Sequence, residues 1–215
     1  MKDTYRHKGL RRRLVNELEK KGIRDEQVLA AMGALPRHFF LEKAFEEWAY
    51  EDKPFPIGNE QTISQPYTVA YMSALLEVRP REKILEIGTG SGYQAAVLAL
   101  LGGRVFTVER HETLYLQAQE RLRSMDMSAI RCYHRDGFKG LPEFAPFQKI
   151  MVTAGAPTVP EALRQQLAIG GVMVIPVGEK AQKMHRIERI DEHHYDEKIM
   201  GDFRFVPFLK GLKGI

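Results

Sequence analysis

Residues 83–93, KILEIGTGSGY, carry the pattern with the clearest chemical meaning. A short apolar strand is followed by three alternating glycines, Gly88, Gly90 and Gly92, and then by a helical segment. Glycines in such a turn let the backbone approach a ligand closely, and the free N–H groups at the start of the helix favour an anionic ligand group. A dinucleotide site would require the spacing GxGxxG, but Tyr93 stands where its last glycine is needed. The pattern therefore predicts a small-molecule site of another class at the end of this strand.

Two acidic residues near the glycines narrow the choice of ligand. Glu109 ends the second predicted strand, about 20 residues after Gly88, which is where an acid binds a ribose diol in nucleotide folds. Glu86 lies just before Gly88, where a carboxylate would repel a pyrophosphate but suits an ammonium group. S-adenosylmethionine combines a ribose, an ammonium and a carboxylate, so we predict that it is the ligand. Its product after methyl transfer is S-adenosylhomocysteine. A tight strand-to-helix turn without a ligand is the alternative.

Asp136 and Gly137 follow the third predicted strand, which places them at the same edge of the sheet. We expect Asp136 to accept a hydrogen bond from the adenine amino group, although an Asp-Gly pair is equally typical of an ordinary turn. The sequence does not support a metal motif, because Tyr115 stands where HExxH, starting at His111, would require its second histidine. No metal site is predicted.

The methyl acceptor is restricted by motifs that the chain lacks. Cytosine methylation at C5 uses a Pro-Cys nucleophile, but Cys132 follows Arg131, and the PPY sequence typical of adenine methylation is absent. A carboxylate acceptor needs neither motif, because it is ionised at neutral pH and requires alignment rather than a general base. The polar sequence TISQP can supply that alignment through the hydroxyl groups of Thr62 and Ser64.

The alternation of helices and strands predicts the fold that positions these residues. The chain is helical up to about Ala49, with Gly22 ending one helix and Asp25 capping the next, and residues 54–66 form a long polar loop. Apolar strands at 83–87, 104–108, 130–133, 150–153 and 172–176 alternate with helices at 68–76, 93–101, 112–125 and 160–168. This order predicts an α/β fold with a Rossmann-like, doubly wound parallel sheet. Alternating residues at 184–190 and 200–206 predict antiparallel C-terminal strands.

Length and composition fit a single globular domain. The chain has 215 residues, of which 44% are hydrophobic and 28% charged. We expect a helical lead-in and loop over about residues 1–60 and a core over about residues 61–215. No apolar run is long enough to span a membrane, no secretory signal is visible, and the single cysteine suits a reducing compartment. We therefore expect a cytoplasmic monomer without a membrane partner.

The charge pattern does not indicate a nucleic-acid partner. The formal net charge of +4 is small. The basic cluster at residues 11–13 lies in a segment where Leu10, Leu14 and Leu18 recur every four residues. This spacing predicts the solvent-facing side of an amphipathic helix, so no nucleic-acid partner is expected.

A series of segments resembles the protein-L-isoaspartate (D-aspartate) O-methyltransferase family. In order, these segments are GNEQTISQPYTVAYMSALLE, LEIGTGSGY, VERHETL, RDGFKG, VTAGAP, GGVMVIPVG and RFVPF. TISQP and RFVP are more specific than the glycine loop, which all class I methyltransferases share. The resemblance implies a class I S-adenosylmethionine-dependent methyltransferase fold with an N-terminal helical cap. It also implies methyl esterification of the α-carboxyl of L-isoaspartyl residues in damaged proteins and peptides, which initiates their repair through a succinimide.

The resemblance also implies roles for individual residues. Ser64 of TISQP matches the active-site residue, and the segments 154–157 and 204–208 match the mouth that receives the isoaspartyl peptide. We expect cofactor contacts from Thr62, Ile63, Glu86, Gly88, Gly90, Ser91, Gly92, Glu109, Arg110, Asp136 and Gly137. We expect substrate contacts from Ala154, Gly155, Ala156, Pro157, Arg204, Val206 and Pro207.

Some positions depart from the family pattern. Glu60 and Arg135 stand where glycine is usual, and Phe208 where leucine is common. We expect Glu60 to matter most, because an additional acid beside TISQP can alter which peptides are accepted. Two other functions stay open: a class I methyltransferase that acts on RNA or on a small acid, and a cofactor-binding protein without turnover.

Overall fold

A seven-stranded sheet forms the centre of the computed structural model, which describes residues 2–214. The helices are α1 Tyr5–Lys20, α2 Glu26–Ala34, α3 Pro66–Leu76, α4 Tyr93–Leu100, α5 Glu112–Ser124 and α6 Glu161–Gln166. The strands are β1 Phe55–Gly58, β2 Gln61–Ile63, β3 Lys83–Ile87, β4 Arg104–Glu109, β5 Arg131–His134, β6 Phe147–Val152, β7 Leu167–Val177, β8 Gln182–Arg189 and β9 Tyr195–Phe203. Short 3₁₀ helices cover Arg37–Phe40, Lys43–Trp48, Gly137–Lys139 and Pro142–Phe144. None of the helices in this described range is both long and apolar enough to cross a membrane.

The order of the strands in the main sheet is β5-β4-β3-β6-β7-β8-β9. The pairs from β5 to β7 are parallel, whereas β8 pairs antiparallel with both β7 and β9. The chain moves outward from β3 to β5 and then returns to place β6 on the other side of β3. This change of direction leaves a crevice at the carboxyl ends of β3 and β6. The predicted doubly wound sheet with antiparallel C-terminal strands is confirmed.

Both faces of the sheet are covered, so the central strands are apolar along most of their length. In β3, Ile84 packs into one hydrophobic core, and Leu85 and Ile87 pack into the other. The first core contains residues of α1 to α5, and the second contains Leu163 of α6. Glu86 is the exception in this strand, because its charged side chain is also fully buried.

The N-terminal residues 2–53 form the helical cap, which packs on α3 and α4. Asp25 caps α2 as predicted, because its side chain accepts hydrogen bonds from the N–H groups of Gln27 and Val28, both at 3.0 Å. Leu14 and Leu18 of α1 are buried in the first core, as their spacing predicts. The cap therefore shares one continuous core with the helices on one face of the sheet.

The prediction that the whole basic cluster at residues 11–13 faces solvent is wrong for Arg11. Its side chain is buried, with Nε donating to the Gly33 carbonyl oxygen at 2.7 Å. Nη1 and Nη2 each donate to a carboxylate oxygen of Asp3 at 3.0 Å. The helical period places Arg11 close to the buried leucine face, and a paired guanidinium can be buried there. Arg12 and Arg13 are exposed as predicted.

The polar composition of residues 54–66 predicts a loop throughout, but the structure shows two short strands there. Strands β1 and β2 pair as an antiparallel hairpin, whose turn residues Asn59 and Glu60 have φ angles of 52° and 58°. Positive φ at both turn residues favours asparagine and glycine, so the glycine usual at position 60 in the family suits this backbone better than glutamate. Glu60 is exposed at the tip of the hairpin. The turn therefore explains the glycine that is usual in the family, and nothing in the structure explains why glutamate stands at this position.

The largest shifts in boundaries occur in the last third of the chain. β7 begins at Leu167, where the sequence predicts helix, because Leu167 pairs with Phe147 of β6 and is buried there. β9 begins at Tyr195 instead of residue 200. β9 is an edge strand with mostly exposed residues, so it lacks the alternation of apolar residues that indicates a strand.

Candidate active site

A cavity lies at the carboxyl ends of β3, β4 and β6, in the crevice left by the order of the strands. It is bounded by the loop after β2, the glycine loop after β3, the end of β4 and the C-terminal segment 206–209. Most of the residues predicted for the site line it, namely Thr62, Ile63, Ser64, Gly88, Gly90, Ser91, Glu109, Arg110, Gly137, Ala154, Val206 and Pro207.

The other predicted residues do not line this cavity. They are Glu86, Gly92, Asp136, Gly155, Ala156, Pro157 and Arg204. Arg204 lines a neighbouring groove, which also contains Tyr67, Tyr71 and Phe203. Ser64 borders both the cavity and the groove, so it lies where the two meet.

The glycine loop approaches the end of β6 very closely. Gly88 has a φ of 100°, and a Cβ atom there would lie only 2.5 Å from Oγ1 of Thr153. The Thr153 hydroxyl donates to the carbonyl oxygens of Ile87 and Gly88, at 3.0 and 2.8 Å. Only glycine combines this φ with this contact. The hydroxyl of Thr153 thus links the carboxyl ends of β3 and β6 beside the crevice.

Glu109 is held in a fixed orientation at the end of β4. One carboxylate oxygen accepts the N–H of Gly90 at 2.9 Å, and the other accepts the N–H of His111 at 2.9 Å. The side chain is buried but lines the cavity. Each carboxylate oxygen has further acceptor capacity, so Glu109 can receive hydroxyl donors from a ligand in the cavity.

Glu86 lies one residue before the lining of the cavity and is fully buried. Among residues 2–214, neither of its carboxylate oxygens has a hydrogen-bond partner. Burial is the main cause that raises the pKa of this carboxyl group to about 8, and the nearby charge of Glu109 acts in the same direction. Glu86 is thus an unpartnered acid beside the glycine loop but outside the lining of the cavity.

One aromatic ring of the cavity wall, that of Phe208, packs against the ring of Phe138, which lies outside the lining. The rings of Phe138 and Phe208 stack with their centroids 4.0 Å apart. A Cβ atom on Gly137 would lie 2.5 Å from Ile87 and 3.0 Å from Phe208, so glycine is required for this packing. Asp136 is half-buried, and its side chain accepts the N–H of Phe138 at 3.0 Å. Asp136 therefore shapes the turn, while Gly137 and Phe208 contribute a flat apolar wall.

Ser64 is fixed through the backbone around it. Nη2 of Arg37 donates to the Ser64 carbonyl oxygen at 2.9 Å. The carboxylate of Asp52 accepts the Tyr67 N–H at 2.7 Å and the Gln65 Nε2 group at 3.1 Å. Both anchors belong to the helical cap. The Ser64 hydroxyl itself makes no hydrogen bond within residues 2–214, so it is available to a ligand at the junction of cavity and groove.

The mouth of the cavity is built from backbone hydrogen bonds between two segments. The N–H of Gly155 donates to the Val206 carbonyl oxygen, and the N–H of Phe208 donates to the Gly155 carbonyl oxygen, both at 2.8 Å. The N–H of Phe205 donates to the buried side chain of Gln182 at 2.9 Å. Ala156 is buried below the mouth, and Pro157 is exposed beyond it.

Several lining residues were not predicted from the sequence. Thr153 and His111 are the most informative, and Tyr93, Gln94 and Gln61 also line the cavity. Thr153 is the first residue after buried strand β6, at the point where the strand order reverses, so the fold alone could have indicated it. His111 follows the acidic end of β4, and burial lowers its pKa.

Three side chains that can bind metal ions lie together in the cap. Asp3, His7 and His38 place one ligand atom each within 4.8 Å of one another. Both oxygens of Asp3 already accept from Arg11, and Nδ1 of His38 lies 2.6 Å from the Tyr50 hydroxyl. These hydrogen bonds already engage the ligand atoms of Asp3 and His38, so the three side chains form a polar interior of the cap. None of them lines the cavity.

Comparison with known proteins gives matches over nearly the whole chain. A family model described as protein-L-isoaspartate (D-aspartate) O-methyltransferase matches residues 9–213. The protein-L-isoaspartate O-methyltransferase of Christiangramia forsetii is 52% identical over 210 residues, which are 98% of this chain and 99% of that protein. The Vibrio cholerae enzyme of the same name is 50% identical over 199 residues, or 93% of this chain and 95% of its own. The similarity therefore includes the helical cap.

Solved structures give the same result. A protein-L-isoaspartate O-methyltransferase superposes with a TM-score of 0.85 at 29% identity, covering 94% of this chain and 67% of its own. A candidate enzyme of this kind from Plasmodium falciparum, in complex with S-adenosyl-L-homocysteine, has a TM-score of 0.82 at 24% identity. It covers 95% of this chain and 99% of its own, and at this identity it shows a shared fold.

The buried acid predicts a characteristic dependence of stability on pH. The pKa of Glu86 is raised by folding, so the folded state binds its proton more tightly than the unfolded state does. The free energy of unfolding should therefore fall as pH rises from about 4.5 to 8, by up to about 1.4 kcal/mol per pH unit from this residue. Glu86→Gln should remove this slope and be the more stable protein at pH 9. Urea unfolding without cofactor over this range checks it, and equal slopes for the two proteins would contradict it.

Proposed function

The chain belongs to the protein-L-isoaspartate (D-aspartate) O-methyltransferase family, and we propose that the cavity and groove described above form its active site. The enzyme methylates the α-carboxyl of L-isoaspartyl residues in damaged proteins and peptides, with S-adenosylmethionine as the methyl donor. The observation that carries the assignment of the site is the position of Ser64. It borders a cavity suited to the cofactor and a groove suited to a peptide.

The residues of the cavity fit S-adenosylmethionine. Bound there, the cofactor supplies a methyl group on a positively charged sulfur, which a carboxylate can accept directly. Glu109 would hold the ribose hydroxyls, since its fixed carboxylate oxygens line the cavity. Gly137 and Phe208 would form the wall for the adenine. The carboxyl group of Glu86 has no partner within residues 2–214 but does not line the cavity, so its contact with the ammonium group stays a prediction. Gly88 and Gly90 let the backbone come close to the ligand.

The chain's part in the reaction is alignment of the acceptor. An α-carboxylate is ionised well below neutral pH, so no residue has to remove a proton from it. The free hydroxyl of Ser64 donates a hydrogen bond to one carboxylate oxygen and leaves the other to react. Holding the reactants in this way converts a bimolecular encounter into an oriented one. The resulting ester collapses to a succinimide without the enzyme, and hydrolysis returns part of it to the normal aspartyl bond.

Selection of the isoaspartyl isomer rests on backbone geometry. In an isoaspartyl residue the main chain continues through the side-chain carbonyl, which leaves the α-carboxylate as a short branch. Residues 201–206, Arg204 among them, line the groove beside Ser64, which can hold an extended chain. A normal aspartyl carboxylate stands one bond farther from the main chain and misses the reacting position. Val206 lines both the groove and the cavity, and Ala154 and Pro207 line the cavity.

The location, oligomeric state and partners of the protein are predictions. We expect a cytoplasmic monomer that acts on isoaspartyl proteins and peptides and does not bind nucleic acid. The small net charge of +4 supports the last of these, as does the burial of Arg11, which leaves Arg12 and Arg13 as the exposed part of the basic cluster.

Removal of the proposed ribose ligand should weaken cofactor binding. Glu109→Ala loses charge-assisted hydrogen bonds worth roughly 1.5 to 3 kcal/mol, so the Kd for S-adenosylmethionine should rise about tenfold or more. Isothermal titration calorimetry measures this, with Glu109→Gln as a variant that keeps the shape and exposed Glu143→Ala as the control. Unchanged affinity in a folded Glu109→Ala protein would remove Glu109 from the site.

Removal of the Ser64 hydroxyl should slow methyl transfer without weakening cofactor binding. Ser64→Ala loses a hydrogen bond to a charged group, which corresponds to a fall in kcat of about tenfold or more. Steady-state kinetics with an isoaspartyl peptide, together with calorimetry of the cofactor, separates the two effects. Ser128→Ala, at an exposed position, is the matched control. Wild-type kinetics for Ser64→Ala, or a covalent adduct trapped on Ser64, would overturn the proposed role.

The activity itself is tested with two isomeric peptides. A peptide with one L-isoaspartyl residue should be methylated, whereas its L-aspartyl twin should react at least about 100-fold more slowly, because misplacement by about 1 Å has an effect of that size. Both peptides carry the same charge, so attraction to this basic protein affects them equally. Equal transfer to both, or transfer to RNA and to neither peptide, is incompatible with the proposal.

A further inference from the structure

A charged side chain from the helical cap is buried directly behind Ser64. Arg37 is fully buried, and its Nε donates to the Ala49 carbonyl oxygen at 3.0 Å. Its Nη2 donates to the Ser64 carbonyl oxygen at 2.9 Å. Its guanidinium carbon lies 4.9 Å from the centre of the Tyr93 ring, at the start of α4. One side chain thus connects the cap, the Ser64 loop and the helix that follows the glycine loop.

Burial of the Arg37 side chain is too unfavourable in free energy to be explained by a purely structural role. Burial of a guanidinium costs several kcal/mol, even when part of its hydrogen bonding is restored. Within residues 2–214, no carboxylate forms an ion pair with Arg37, and its Nη1 has no hydrogen-bond partner. An apolar side chain of similar volume would fill the same space without this cost. Retention of the charged fork therefore points to its directional bonds to the two carbonyl groups.

A second anchor from the cap holds the same loop on its other side. The Asp52 side chain is 4% exposed and accepts the Tyr67 N–H at 2.7 Å. Its position is fixed by Lys21, whose Nζ lies 2.6 Å from Oδ2 of Asp52. Helix α3 has no side-chain cap of its own at Gln65, so Asp52 supplies the missing acceptor from a distant segment.

We propose that Arg37 is a positioning residue for methyl transfer, which acts with Asp52 to aim the Ser64 hydroxyl at the acceptor carboxylate. Arg37 fixes the carbonyl group of Ser64, and Asp52 fixes the backbone N–H three residues later. Between these two points the peptide planes cannot rotate freely, so the direction of the Ser64 side chain is set by the cap. The inference rests on the proposed role of Ser64.

A double-mutant cycle distinguishes positioning from general support of the fold. Arg37→Lys keeps the positive charge but replaces the planar fork, so the two carbonyl groups are no longer held together. We expect kcat for an isoaspartyl peptide to fall about 10- to 100-fold, with the Kd for S-adenosylmethionine within about twofold of wild type. In a Ser64→Ala background, the same substitution should change kcat by less than about twofold, because the group that it positions is gone.

A matched control and a spectroscopic measurement complete the test. Arg11→Lys alters another buried arginine of the cap, whose partners Gly33, Asp3 and Tyr50 do not belong to the Ser64 loop. It should lower the free energy of unfolding but leave kcat within about twofold of wild type. The ¹³C resonance of the Ser64 carbonyl should shift in Arg37→Lys and stay unchanged in Arg11→Lys. Should Arg37→Lys fail to fold, Asp52→Asn takes its place in the cycle, with the same non-additive loss of kcat expected.

The outcomes separate the two proposals. If Ser64→Ala lowers kcat and Arg37→Lys lowers it by the same factor in both backgrounds, Arg37 acts independently of Ser64 and the positioning role is wrong. An equal fall in kcat for Arg11→Lys would also contradict it, because the effect would then come from loss of stability. Wild-type kinetics for Ser64→Ala alone would overturn the role of Ser64, and with it the role of Arg37.

Discussion

The architecture of this molecule depends on the reversal of strand order at β3, because the chain adds β4 and β5 on one side of this strand and β6 and β7 on the other. Strands β4 and β6 pair with opposite edges of β3, and the connections that leave their carboxyl ends run in opposite directions. No segment of the sheet can cover the opening between them, so a cavity forms there. The contact between Thr153 and Gly88 limits its width, and Glu109 at the end of β4 gives it a charged side. The proposed cofactor site therefore follows from topology combined with a few residues at strand ends.

The acceptor side of the site has a different origin. Ser64 belongs to a loop outside the main sheet, and the helical cap rather than the sheet holds that loop in place. The C-terminal segment adds the opposite side through the backbone pairing of Gly155 with Val206 and Phe208. The site thus joins three parts of the chain that are distant in sequence. The cap contributes no residue to the lining of the cavity, yet the similarity to known enzymes includes it. Its role in holding the Ser64 loop explains this.

Much of the fold was predictable from local patterns, because buried parallel strands and amphipathic helices have characteristic periods. The meeting of the glycine loop and Glu109 at one cavity was likewise predictable, because both follow parallel strands whose carboxyl ends lie at the same edge of the sheet. The residues alone made Ser64 one of two candidate hydroxyl groups in a polar loop. Its choice as the active-site residue, and the mouth, came from the resemblance to a family, because a serine in a polar loop has no local signature. The hairpin β1–β2 was missed because Asn59 and Glu60 are not a usual pair for a two-residue turn.

The buried arginines were the least predictable feature. Their identity as core residues depends on partners far away in sequence, such as the carbonyl groups of Gly33 for Arg11 and Ser64 for Arg37. Periodicity of apolar residues cannot reveal such partners, because it assigns charged residues to the surface. The burial of Glu86 is similar, since the pattern of β3 shows a charged residue in a strand whose two faces are both covered.

A crystal structure of the enzyme with S-adenosylhomocysteine and a peptide that contains one L-isoaspartyl residue tests the proposed site most directly. The ribose hydroxyls should contact Glu109, the peptide should lie in the groove beside Tyr67 and Arg204, and its α-carboxylate should accept the Ser64 hydroxyl within about 3 Å. A peptide bound elsewhere, or an α-carboxylate held by another residue while Ser64 faces away, would contradict it.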